Sequence, residues 1–224
     1  MHPLSPTRKS QFRLGYLFLI LGLGLQTANA ATLIDDFDDF QAVYSTSQPT
    51  ADPMSISSTN LSGMLRSLSI TSSGDDDSAE MFSEQGSLSI GSDVGISTNA
   101  SIYYNFAGMN LASIADVLVF DIASIDIGTQ IRIIANGTSE FLFQNISLAG
   151  QYSASILGFS QPNVFGNLTN LEIKINSLTN TDLRLERISA FKTGSVPEPS
   201  SLALLVIGLL TLSRYRLVHV RASI

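Results

Sequence analysis

In the central part of this chain, between Ala31 and Ser195, carboxylates are the side chains whose type and crowding could do chemistry. Asp35, Asp36, Asp38 and Asp39 fall within one short stretch, and Asp75, Asp76 and Asp77 are consecutive in a Ser-Ser-Gly loop. Calcium takes six to eight oxygen ligands, and clustered aspartates with nearby backbone carbonyls are where it finds them. Neither cluster has the spacing of a helix-loop-helix calcium loop. Three consecutive aspartates more often make a solvated turn, so Asp35, Asp36 and Asp38 are the candidate metal ligands. Calcium is the one cofactor the residues suggest.

The absences are sharper. The only histidines are His2 and His219, near the two ends, and there is no cysteine. The central part therefore lacks Ser-His-Asp and Cys-His constellations, and it lacks nitrogen or sulfur ligands for zinc. A glycosidase needs only two carboxylates about 5–9 Å apart, but no motif here assigns such roles, and the expectation is that the protein is not an enzyme. Binding of sugar rings favours broad aromatic faces, and there is no tryptophan. Tyr44, Tyr103, Tyr104 and Tyr152 remain. Adjacent strand residues face opposite sides, so at most one of Tyr103 and Tyr104 points outward, and the plainer reading makes the other one core.

Charge and hydropathy divide the chain into three parts. Of the twelve Lys and Arg, three precede the first apolar block and three follow the last, leaving six in the centre. Of the nineteen acids only Glu198 lies outside it, so the centre holds eighteen acids against six bases. Such a surface repels phosphate backbones, and nucleic acid is excluded as a partner. At the N-terminal end, Arg8, Lys9 and Arg13 precede the apolar run Leu14–Leu25, and Ala28-Asn29-Ala30 follows. This is the pattern of a signal peptide over residues 1–30, cut by signal peptidase with Ala28 and Ala30 at the cleavage site. At the other end, Val196-Pro197-Glu198-Pro199 cannot join a helix or a sheet interior. The apolar run Leu202–Leu212 then suits a short transmembrane helix, and Arg214 and Arg216 would hold residues 217–224 in the cytoplasm.

These last residues resemble the PEP-CTERM sorting signal of Gram-negative bacteria: a Pro-Glu-Pro strip, a short apolar helix and a basic end over residues 196–216. The resemblance implies an exosortase as partner, transient residence in the inner membrane, and delivery to the cell surface or the extracellular space. Leu217–Ile224 continues beyond the point where that family usually stops.

The elements that must position any site read as strands. Leu171–Asn176 alternates cleanly, Gln130–Ile134 begins the same way, and Leu183–Ile188 alternates and then slips one place, which predicts a bulge near Glu186-Arg187. Val117–Ile122 is a continuous apolar run and predicts a central strand. No sustained helical period occurs, and about ten strands fit residues 31–195, an all-β two-sheet β-sandwich. The order of Leu33-Ile34-Asp35-Asp36-Phe37, Gly63-Met-Leu-Arg66-Ser-Leu68, Leu111–Asp116, Phe165–Ile175 and Leu183-Arg-Leu185 resembles PEP-CTERM cargo proteins whose body is a galactose-binding-like jelly roll. Related jelly rolls often hold a structural calcium near the first strand, which is what the resemblance implies for Asp35–Asp39. The function expected is a structural protein of the cell surface or extracellular matrix. The alternative is a module binding carbohydrate or calcium within extracellular polysaccharide.

Overall fold

The computed structural model describes residues 31–57, 59–126, 128–177 and 182–193. The expected signal peptide, the Pro-Glu-Pro strip, the apolar run Leu202–Leu212 and the basic end lie outside the described residues. Ala30–Thr193 forms one compact unit.

The chain runs β1 (Thr32–Asp35), β2 (Gln41–Tyr44), β3 (Met54–Ser55), β4 (Leu65–Ser72), β5 (Ala79–Glu84), β6 (Ser87–Ser92) and β7 (Thr98–Met109). A single helical turn, α1 (Leu111–Ile114), precedes β8 (Val117–Ile125), β9 (Thr129–Ala135), β10 (Ser139–Ile146) and β11 (Gly150–Ser155). Two 3-10 turns, Ile156–Gly158 and Pro162–Asn167, lead to β12 (Leu168–Ser177) and β13 (Leu183–Phe191). One sheet has seven strands in the order β11-β8-β13-β6-β5-β2, with β1 beside β13; the other has six in the order β10-β9-β12-β7-β4-β3. All pairings among the described residues are antiparallel, and the chain passes repeatedly from one sheet to the other, which gives the two-sheet sandwich that alternation predicts.

The strands form because their apolar residues recur every second position and can face a single core. On β12, Leu171, Ile173 and Ile175 are buried while the residues between them are half-exposed. On β4 the buried set is Arg66, Leu68 and Ile70, which places a charged residue in an otherwise apolar row. The strands number thirteen among the described residues, more than the ten that periodicity suggests. β3 has two residues and β2 has four, too short to show a period. The continuous run Val117–Ile122 forms β8, which lies one place in from the sheet edge, with Val119 buried on the outward side as well. β13 shifts register between Arg184 and Leu185 and again between Leu185 and Arg187, close to the predicted bulge.

Two hairpins turn through left-handed residues. Gln85 and Gly86 both have positive φ between β5 and β6, as do Asn136 and Gly137 between β9 and β10, the geometry that matches the twist of the flanking strands. One end of the sandwich is closed by aromatic rings. Phe143 makes edge contacts with Phe120 and Tyr152 at 6.0 Å and with Phe141 at 5.0 Å.

Candidate functional site

Two groups of polar residues stand out, one inside the sandwich and one on its surface. The inner group is built on the first strand. Alternation from buried Ile34 would send Asp35 outward, but β1 carries a register shift between Leu33 and Asp35. The extra residue turns Asp35 inward, and both Ile34 and Asp35 are fully buried. Opposite it, from the other sheet, comes Arg66. Its Nη1 lies 2.9 Å from Asp35 Oδ2 and 3.1 Å from Oδ1, with neither side chain exposed.

Each side-chain nitrogen and oxygen of this pair has a hydrogen-bond partner. Asp35 Oδ2 also accepts from the Tyr104 hydroxyl at 2.8 Å, and Oδ1 accepts from the Phe37 amide at 2.8 Å. Arg66 donates from Nε to Gln41 Oε1 at 3.1 Å and from Nη2 to the Asp39 carbonyl at 2.6 Å. The Phe37 ring lies 5.7 Å from the guanidinium carbon. Phe37 itself has φ of 61°, a left-handed conformation that a bulky residue adopts at a cost. Burial pushes the Asp35 carboxyl above its ordinary value, and the Arg66 charge with the Phe37 and Tyr104 donors works against that shift. Burial first, and then the Asp35 charge, push the Tyr104 hydroxyl well above 10.0.

The expected metal ligands are therefore not gathered. Asp35 faces the Arg66 guanidinium. Asp36 Oδ1 accepts from the Asp38 amide at 3.3 Å, and Asp38 is exposed. Asp39 Oδ1 and Oδ2 accept from the Ser57 hydroxyl and amide at 2.8 and 2.6 Å. Among the described residues, no group of three or more His, Cys, Asp or Glu is placed to hold a metal ion. In the second cluster, Asp77 binds the amides of Thr46 and Ser47 at 3.0 and 2.8 Å and the Ser47 hydroxyl at 2.6 Å. These bonds, the Ser47 hydroxyl foremost, hold its carboxyl below the usual 3.8. Arg66 is not among the candidate site residues that the sequence singles out. The signal was its place in the alternating row with Leu68 and Ile70, since an arginine on an apolar face calls for a buried counter-ion.

The outer group lies on the exposed face of the six-stranded sheet. Of the four tyrosines considered, Tyr104 and Tyr152 point inward. Tyr44 lies on the outer face of the seven-stranded sheet against Phe82, ring centroids 5.5 Å apart. Tyr103 is half-buried at the middle of the outer face of the six-stranded sheet, across from Glu172 on β12 and Ser67 on β4. In the adjoining row Arg132, Lys174, Ser101 and Ser69 stand side by side, and beyond it Gln130, Asn176, Asn99 and Thr71 do the same. An aromatic ring among charged, hydroxyl and amide side chains can stack on a sugar ring and hydrogen-bond its substituents.

Residues 195–216 match the PEP-CTERM protein-sorting motif. The chain thus carries a signal for export and membrane-anchored sorting in Gram-negative bacteria. Its sandwich is similar in fold to a family 11 carbohydrate-binding module from a cellulosomal cellulase of Clostridium thermocellum. The two are 13% identical over 74% of this chain and 96% of that one, with a TM-score of 0.35. A low-affinity xylan-binding module, CBM86, from the gut symbiont Roseburia intestinalis is 12% identical over 57% of this chain and 98% of that one, with a TM-score of 0.35. No curated protein matches the sequence.

Proposed function

We propose that this protein is an exosortase substrate whose β-sandwich serves, without catalysis, as a structural module at the cell surface or in the extracellular matrix. The sorting motif at residues 195–216 carries this reading. The interior supports it: the buried charges are spent on one another, and the network they form ties the first strand to the opposite sheet. Signal peptidase removes residues 1–30, the exosortase acts at Val196-Pro197-Glu198-Pro199, and the inner membrane holds the chain in between. Expression in a host with and without its exosortase gene tests the proposal. A shortened form outside the inner membrane should appear only with the enzyme; the same form in both strains would refute exosortase processing.

A second reading, a module that binds polysaccharide, is favoured by one observation: Tyr103 stands among hydroxyl, amide and charged side chains on an open sheet face. A glycan array run with and without calcium tests it. Binding to any glycan supports it, and no binding in either condition would remove it. Calcium-dependent binding would in addition restore a metal role to the acidic first loop.

A further inference from the structure

Arg132 on β9 and Lys174 on β12 stand directly across from one another on the outer face of the six-stranded sheet. Like charges placed so destabilise a sheet. Lys174 lies 3.5 Å from Glu172, a carboxylate already accepting from the Ser101 hydroxyl at 2.8 Å. Among the described residues, no carboxylate pairs with Arg132. Bases are scarce here, six against eighteen acids in the central part of the chain, and Arg66 is locked inside. Setting two of the remainder side by side leaves one cation, Arg132, in excess over the Lys174–Glu172 pair on an otherwise acidic protein. Tyr103 is diagonal to Lys174, one strand spacing of about 4.8 Å across and one row of roughly 6.7 Å along.

We propose that this face binds an acidic polysaccharide whose repeat bears a carboxylate, such as a uronate polymer. The carboxylate enters between Arg132 and Lys174, where the planar guanidinium can hold both oxygens, and it relieves the repulsion between the two cations. The sugar ring lies against Tyr103, which offers an apolar face with a polar tip. Acids elsewhere on the surface repel the same polymer, whereas Glu172 on this face is already paired with Lys174. The inference rests on the polysaccharide-binding reading above and fixes both the class of glycan and its place.

The test uses the full-length chain in mild detergent, with polygalacturonate and neutral dextran as probes. Variants are R132Q/K174Q on this face and Tyr44→Ala on the opposite sheet, with thermal melts confirming that each folds. Polygalacturonate should bind, and binding should weaken about tenfold or more between roughly 0.05 and 0.5 M salt as the charges are screened. R132Q/K174Q should lose about tenfold or more in affinity, and Tyr44→Ala should lose nothing. Equal binding to dextran, undiminished in R132Q/K174Q, would overturn the acidic class while leaving polysaccharide binding standing. Absence of binding to either polymer, together with an empty glycan array, would overturn both.

Discussion

Asp35 and Arg66 are 31 residues apart in the chain and 2.9 Å apart in space, one from each sheet, and neither exposes its side chain. The pair crosses the interior of the sandwich and fixes β1 against β4. A buried ion pair of this kind is weak evidence for added stability, since desolvating two charges costs several kcal/mol. What it supplies is alternatives that are worse. Any arrangement that slips β1 by one residue leaves one charge buried without the other.

Removing one partner should therefore be far worse than removing both. Arg66→Met should destabilise the sandwich by about 3–5 kcal/mol, because it leaves Asp35 uncompensated. The double replacement D35L/R66M should recover most of that loss. Urea unfolding of both variants and the wild type measures the difference. A double variant as unstable as Arg66→Met alone would mean that the pair is not the reason for the single variant's cost.

Tyr104 contributes through its hydroxyl to the same carboxylate. Tyr104→Phe removes a hydrogen bond to a charged acceptor and should cost about 1.5–3 kcal/mol. Its ionisation gives a second check. Because the folded value lies well above 10.0, the unfolded chain loses this proton first as the pH rises. The stabilisation linked to protonated Tyr104 is complete below pH 10.0 and declines above it. Denaturation curves from pH 9 to 11 should show a steeper loss for the wild type than for Tyr104→Phe.

The tie between the Asp75-Asp76-Asp77 loop and the turn after β2 is pH-dependent in the other direction. The folded Asp77 carboxyl titrates below 3.8, so the contribution is present above that value and is lost as pH falls through the folded one. Amide resonances of Thr46 and Ser47 should move together in that acid range, while Leu68 amide stays fixed. Asp77→Asn should abolish the movement.

Much of this was legible in the sequence, for physical reasons that differ by element. β12 was readable because Leu171, Ile173 and Ile175 alternate with polar residues over one face, and the slip in β13 left a visible mark in Leu183–Ile188. The sorting tail was readable from its Pro-Glu-Pro strip, apolar run and basic end, and residues 195–216 match that motif. The burial of Asp35 was not readable. Its side chain reaches the core only because β1 bulges, and a bulge in a four-residue strand leaves no periodic trace. Arg66 could have pointed to it, as a charge in the Leu68-Ile70 row. The candidate face with Tyr103 depends on which strands neighbour which, and β9 meets β12 only after two crossings between sheets.

Packing at the aromatic end offers an independent check of the fold. A Cβ on Gly158 would lie 2.9 Å from Phe141 Cε2, so Gly158→Ala must displace the ring and should cost about 1–3 kcal/mol. A neutral substitution there would mean that the Phe141 ring is not held where its contacts with Phe143 and Phe159 place it.

The most direct test of the central claim is the fate of the precursor when the sorting strip is altered. In a host with a working exosortase, Glu198→Ala should make full-length chain accumulate in the inner membrane, seen by pulse-chase and fractionation, while the wild type is shortened and leaves. Processing of Glu198→Ala at the wild-type rate would contradict the account at its central residue.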